Sequence, residues 1–185
     1  MPGVASDWSI SSDGLTYTFV FNPEAKWTNG ESVKPEHFVY SWKRILSPAL
    51  GAQYADMLYV IKNAEKFHKS QIEDFDKVGV SSYENKLIVT LENPTPYFLN
   101  ILTHYSTWPV HPETVEKYGG MTSRNNQWTR VENFIGNGPF KLDSWEINKS
   151  LKVSRNELYW GNTSNKINGI ESVSYTHLRA HETSI

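Results

Sequence analysis

The sequence of 185 residues contains no cysteine, which excludes disulfide bonds and thiol chemistry. It also lacks an excess of positive charge, because 18 lysines and arginines face 20 aspartates and glutamates, for a net charge of −2. Without a basic stripe, no nucleic-acid partner is expected. No stretch approaches the roughly 18 apolar residues of a membrane-spanning helix, and the first residues predict no export signal.

Motifs for catalysis are missing as well. There is no GxSxG elbow and no phosphate-binding P-loop, and the glycines of residues 136–138 lack the third glycine that dinucleotide binding requires. The acidic residues at 73–76 alternate with lysines, which is typical of a solvated surface. His104 and His111 have no third ligand at a suitable spacing, so we interpret them as core or groove histidines. We therefore expect no enzyme, no cofactor and no metal site.

The most informative part of the chain is residues 17–46, YTFVFNPEAKWTNGESVKPEHFVYSWKRIL. The aromatic residues in 17–21 alternate with β-branched ones, the period of two that a half-buried strand requires. After an Asn-Gly turn, an apolar stripe predicts a helix that begins at Pro35. Lys34 directly precedes this helix, and because a lysine cannot accept an amide hydrogen bond, we expect Ser32 or water to cap it.

The rest of the pattern predicts a mixed α/β fold (α+β in places) without repeats. A hairpin turn is predicted at Asp13-Gly14. The apolar spacing further predicts these elements: a helix over residues 52–67, a strand over 86–92, a helix over 97–104, a short helix over 114–118, and three strands between 138 and 173.

Five further motifs follow residues 17–46 in order: Gln53-Tyr54-Ala55, LENPTPYFLNIL, HPETVEKYG, GNGPFKL and RNELYWG. Together these segments resemble the oligopeptide-binding (OppA-like) family of extracellular solute-binding proteins, which feed peptides to ATP-driven (ABC) importers. The resemblance spans roughly residues 4–170. Because the motifs are collinear, the family resemblance is specific.

The resemblance implies a periplasmic-binding-protein-like fold of two α/β lobes joined by a hinge, with a smaller third domain inserted into the first lobe. Residues 1–111 would then be the small inserted domain, truncated at its N-terminus, and residues 112–173 would be part of lobe I. The second lobe would be missing. We therefore expect the chain to be a fragment.

The resemblance also implies a function. The protein would be a monomer that captures an oligopeptide ligand between its lobes and presents it to the membrane permease and ATPase subunits of an ABC importer. It would be periplasmic, or a cell-surface lipoprotein, in bacteria. Two alternatives stay open: a binding protein of the same fold for a dipeptide, nickel, haem or sugar, and a single-domain carbohydrate-binding or interaction module.

Two ligand-binding residues follow from the resemblance. Tyr54 matches a tyrosine that faces the peptide in the family, and His104 matches a second residue near the cleft. The chain is rich in aromatic residues, at 14%, but we interpret Trp27, Phe38 and Trp42 as core residues because they fall on strand and helix positions.

The last residues have a different origin. The run SYTHLRAHET at residues 174–183 resembles the translation of a transposase-type sequencing adapter, so we interpret residues 174–185 as a non-native tail. A metal site formed by His177 and His181, four residues apart, is the weaker interpretation, because the adapter accounts for all ten residues.

If the tail is non-native, deleting residues 174–185 should leave the melting temperature unchanged. Thermal unfolding of the full and the shortened chain would measure this. A clear loss of stability, with Leu178 docked on the core, would contradict the adapter origin.

Overall fold

The computed structural model describes residues 3–161 and 166–174. In this part of the chain the strands are β1 (Ala5–Ile10), β2 (Thr16–Phe21), β3 (Val80–Tyr83), β4 (Lys86–Thr90), β5 (Phe140–Glu146), β6 (Ser150–Arg155) and β7 (Gly169–Val173). The helices are α1 (Pro35–Leu46), α2 (Ala64–His68), α3 (Phe98–Ile101) and α4 (Pro112–Lys117), with single 3₁₀ turns at Ala55–Leu58, Phe75–Lys77 and Tyr105–Thr107. The mixed α/β class predicted from the sequence is confirmed.

The first sheet has four antiparallel strands in the order β1-β2-β4-β3. The predicted hairpin joins β1 to β2, and at its tip the Asp13 side chain accepts a hydrogen bond from the Leu15 amide at 3.0 Å. The predicted alternation in β2 is confirmed, because Tyr17, Phe19 and Phe21 are buried while the residues between them are partly exposed. One face of this sheet therefore supplies the core.

Helix α1 packs against β3 and β4 of this sheet. Trp27 and Trp42 are almost completely buried, and Phe38 is partly buried against the same cluster. Inside the core the indole N–H of Trp42 donates to the carbonyl oxygen of Thr107 at 2.8 Å. The interpretation of these three aromatic residues as core is confirmed.

The second sheet is antiparallel, in the order β5-β6-β7, and confirms the three strands predicted between residues 138 and 173. All five residues of β7 are exposed. The Ser174 amide donates to the carbonyl of Lys149 at 2.9 Å, one residue beyond β7. Residues 175–185, which include His177 and His181, lie outside the described residues.

A side-chain contact that the sequence did not predict lies at the start of α1. Lys34 is the N-cap residue and its side chain makes no capping hydrogen bond, but its backbone amide donates to Nδ1 of His37 at 3.2 Å. The same Nδ1 accepts the indole N–H of Trp27 at 3.0 Å. A histidine three residues into the helix thus does the work that a Glu or Gln does in a capping box.

The predicted helix over residues 52–67 is wrong as a single element. The chain forms a 3₁₀ turn at Ala55–Leu58 and then the short helix α2, and Ile61 between them pairs with Leu91 in an isolated β-bridge. Asn63, which precedes α2, has a left-handed backbone with φ of 59°. The helical spacing of buried residues is real, but pairing with the end of β4 interrupts the helix.

Two further predictions need correction. The helix predicted over residues 97–104 is regular only in α3, and a 3₁₀ turn follows it. Strand β3 was not predicted, because VSSY is short and polar and carries little apolar alternation. The short helix predicted over residues 114–118 is present as α4 and begins two residues earlier.

Among the described residues, no helix combines the length and the hydropathy needed to cross a bilayer.

Replacing Trp42 with alanine should lower the free energy of unfolding by about 3–5 kcal/mol, because it leaves a cavity and an unpaired Thr107 carbonyl. Chemical denaturation measures the loss. Trp145→Ala is a matched control, since Trp145 is exposed on β5 and its removal should cost less than about 1 kcal/mol. Equal effects of the two changes would contradict the core position of Trp42.

The stability should also depend on pH through His37. Burial lowers the pKa of the His37 imidazole, and the Glu113 carboxylate opposes this effect only in part. Because the unfolded chain keeps a histidine pKa of about 6.5, it binds a proton at a higher pH than the folded state does. The contribution of His37 is therefore fully present above about pH 6.5 and is lost as the pH falls through the lower pKa of the folded state.

The measurement is the free energy of unfolding at about pH 7.5 and 5.5 for the parent and for His37→Gln, which retains a side-chain acceptor for the Trp27 N–H. The parent should lose more stability on acidification than the variant. The other histidines are common to both chains and cancel in the comparison. Identical pH dependence would show that His37 is not responsible.

Candidate functional site

The structure places Tyr54 on the loop that follows α1, directly before the 3₁₀ turn at Ala55–Leu58. Ala55 and Leu58 are buried and fix this turn to the core. The Tyr54 carbonyl accepts the Met57 amide at 3.3 Å, while its ring is 38% exposed. The backbone at Tyr54 is therefore held, and the side chain faces solvent.

His104 lies just after α3 and is the N-cap residue of the 3₁₀ turn at Tyr105–Thr107. Its Nδ1 accepts the Ser106 amide at 3.3 Å and lies 2.8 Å from the Ser106 hydroxyl. These contacts orient the imidazole with its other edge directed away from the turn. The predicted helix over 97–104 did not anticipate this local turn, which sets the ring direction.

The structure brings Tyr54 and His104 together, although 50 residues separate them. Their ring centroids are 5.1 Å apart in an edge-on arrangement. Tyr105 completes the group, 5.9 Å from Tyr54 and 4.3 Å from His104. We call these three residues the aromatic trio.

The sequence did not single out Tyr105. The only signal was its position next to His104, because its neighbour in space, Tyr54, is remote in the sequence. A hydrogen bond with the Tyr54 hydroxyl raises the pKa of the Tyr105 phenol. Tyr54 and Tyr105 each bring a phenol hydroxyl to the trio, and these groups can form hydrogen bonds with polar groups of a ligand.

The two turns that carry the aromatic trio are attached to the core and to each other. The Thr107 hydroxyl donates to the carbonyl of His104 at 2.8 Å, and the Thr107 carbonyl accepts the Trp42 indole N–H. The Ser106 hydroxyl contacts the sulfur of Met57 at 3.7 Å and so links the two turns. The trio is exposed, but its backbone is attached to the core.

Two cavities lie elsewhere in the described part of the chain. A largely apolar one of about 520 Å³ is lined by Trp8, Phe38, Trp108 and Trp160 among others. Another, of about 730 Å³, lies beside the start of α1. Neither is lined by Tyr54 or His104. Tyr54 and Tyr105 are exposed and His104 is partly buried, so the trio faces solvent.

Side chains of the types that bind metals converge at one place among the described residues. Glu31, His111 and Glu113 place one ligand atom each within 4.8 Å of the others. The sequence could not reveal this cluster, because Glu31 lies 80 residues from His111.

The fold of the described residues and the comparisons with known proteins define the class. Residues 1–180 match the family model described as bacterial extracellular solute-binding proteins, family 5, middle. The chain belongs to this family. The resemblance stated from the motifs is therefore confirmed.

Several of its relatives are named for peptide binding. The chain is 35% identical to the oligopeptide-binding protein OppA of Bacillus subtilis over 92% of its own length and 30% of that protein. It is also 35% identical to the dipeptide-binding protein DppE of the same organism, again over 92% of this chain and 30% of the relative. The chain thus spans about 30% of the length of these relatives.

Solved structures agree with the sequence relatives. The Haemophilus influenzae OppA complex with the peptide RPPGFSPFR matches with a TM-score of 0.87 and 33% identity, over 94% of this chain and 33% of that one. The substrate-binding domain of an oligopeptide ABC transporter from Bacillus anthracis matches with a TM-score of 0.87 and 32% identity, over 95% and 33% of the two chains. The expected periplasmic-binding-protein-like fold is confirmed over the third of those structures that this chain covers.

Proposed function

We propose that the whole protein of which this chain forms part captures oligopeptides outside the cytoplasm and delivers them to the permease and ATPase subunits of an ABC importer. Family membership supports this proposal, as do relatives named for oligopeptide, dipeptide and murein peptide binding. The observation in this chain that carries it is the aromatic trio, where Tyr54 and His104 converge as expected of two residues of one site.

The relatives named periplasmic indicate the compartment. We propose a location in the bacterial cell envelope, in the periplasm or at the cell surface on a lipid anchor. We further propose that the protein is a monomer that binds its ligand without chemical turnover. Residues 1–111 would form the small domain and residues 112–173 part of lobe I.

The aromatic trio has the properties that a broad peptide site needs. Aromatic rings give a large, rigid contact area at little cost in conformational entropy, and they accept side chains of different shapes. The hydroxyls of Tyr54 and Tyr105 add hydrogen-bonding groups. Water between the rings and the ligand side chains then tolerates differences in sequence.

The ring geometry favours peptides over sugars. A carbohydrate-binding surface needs exposed coplanar rings in a row, but Tyr54 meets Tyr105 at an interplanar angle of 84°. His104 and Tyr105 are tilted by 31°. The three rings are not coplanar, which suits an irregular chain more than a flat sugar ring.

The chain should bind tri- to pentapeptides weakly at the trio. Because the trio is open to solvent, each hydrogen bond made there contributes about 1 kcal/mol, so we expect dissociation constants of about 1 mM or weaker. In an NMR titration of the 185-residue chain, the signals of Tyr54, His104 and Tyr105 should shift together as peptide is added.

Tyr54→Ala should abolish these shifts. Tyr83→Ala is the matched control, since Tyr83 is an exposed tyrosine at the end of β3 and its loss should leave binding unchanged. Shifts confined to other residues would place the peptide site elsewhere. Micromolar affinity would show that these residues form the complete site, in favour of the single-domain alternative.

A further inference from the structure

The cluster formed by Glu31, His111 and Glu113 joins two distant parts of the chain. Nε2 of His111 lies 2.7 Å from Oε2 of Glu31 and 3.5 Å from Oε2 of Glu113. Glu31 lies in the turn between β2 and α1, whereas His111 and Glu113 lie at the start of α4. The cluster is separate from the aromatic trio, and an inference about it does not depend on peptide binding.

The spacing of these atoms suits a single small cation. Zinc binds imidazole nitrogen and carboxylate oxygen at roughly 2.1 Å, so two of its ligands in tetrahedral geometry lie about 3.4 Å apart. The 3.5 Å between His111 and Glu113 matches that spacing. The Glu31 carboxylate lies closer because it accepts a hydrogen bond from Nε2 of His111 when no ion is bound. A shift of about 1 Å of this exposed carboxylate would give the same spacing.

The buried imidazole is oriented before any ion arrives. His111 is only 3% exposed, and its Nδ1 lies 2.8 Å from the Thr114 hydroxyl and accepts the Thr114 amide at 3.3 Å. These contacts direct Nε2 toward the two carboxylates. With a metal at Nε2, the imidazole proton would lie on Nδ1 and be donated to the Thr114 hydroxyl, the outer partner of a metal-bound histidine, and the Thr114 amide would lose its present acceptor.

The two carboxylates leave the cluster accessible and negatively charged. The side chains of Glu31 and Glu113 are 57% and 67% exposed, so an ion can enter from solvent and water can complete its coordination. The Glu31 backbone is held by the bond from the Trp27 amide to the Glu31 carbonyl, at 2.8 Å, and its amide donates to the Asn29 side chain at 3.1 Å. The backbone that carries Glu31 is therefore held in place, while its exposed carboxylate can move toward an incoming ion.

We propose that Glu31, His111 and Glu113 bind a divalent transition-metal ion of the zinc class. The imidazole selects against Mg²⁺ and Ca²⁺, which prefer sites made only of oxygen ligands, and favours Zn²⁺ and its neighbours. The bound ion bridges the turn before α1 and the start of α4. Because only the folded chain brings the three ligands together, the ion stabilises the folded state increasingly as its free concentration rises above the dissociation constant.

The test is calorimetric titration of the full 185-residue chain with ZnCl₂, repeated with MgCl₂. Zinc should bind the cluster at one ion per chain and raise the melting temperature, and magnesium should do neither. Glu31→Gln and Glu113→Gln each remove one exposed ligand without disturbing the core, and each should weaken zinc binding by at least about tenfold. Glu24→Gln and Glu36→Gln, which alter exposed acids outside the cluster, should leave it unchanged.

His111 also caps α4, so its substitution could disrupt the fold. The test therefore uses Glu31→Gln and Glu113→Gln. His177 and His181 provide a competing pair of ligands, so the double variant H177Q/H181Q is tested beside them. Zinc binding that survives H177Q/H181Q and is weakened at least about tenfold in Glu31→Gln and in Glu113→Gln supports the proposal. Absence of zinc binding, or zinc binding that neither Glu31→Gln nor Glu113→Gln weakens, would overturn the proposal.

Discussion

The hydrogen bond from the Trp42 indole to the Thr107 carbonyl, made inside the core, sets the position of residues 104–111. A second bond supports it, from the Val110 amide to the Ser41 hydroxyl on the same helix, at 2.9 Å. These residues have little regular structure of their own, so their backbone groups must find partners elsewhere. Helix α1 provides these partners, and both the aromatic trio and the Glu31 cluster depend on it.

Local patterns predicted the elements that are stabilised locally. The alternation in β2 and the apolar stripe of α1 each reflect burial on one face of a single element, and both were found as expected. The helix over residues 52–67 failed because Ile61 pairs with Leu91, a partner 30 residues away. A periodic pattern records which residues are buried, but it does not record the pairing that interrupts a helix.

The two sites differ in how far the sequence could predict them. Tyr54 and His104 came from the family resemblance, since neither spacing nor composition marks them. Tyr105 and Glu31 came only from the structure, because contacts across 50 or more residues depend on the tertiary fold. The earlier conclusion that His111 lacks a third ligand considered ligands near it in the sequence. Glu31 approaches it through the turn before α1, held there by backbone bonds to Trp27.

The attachment of the aromatic trio to the core affects which free-energy cost limits its affinity for a ligand. Ordering a mobile loop on binding costs free energy, about 0.5–1.5 kcal/mol for each immobilised side chain. Here the turns that bear Tyr54 and His104 are already bonded to the core and to each other through Ser106 and Met57. Little ordering cost remains at the backbone. Affinity at this surface is therefore limited by competition with water, and any element that covers the rings strengthens binding by excluding that water.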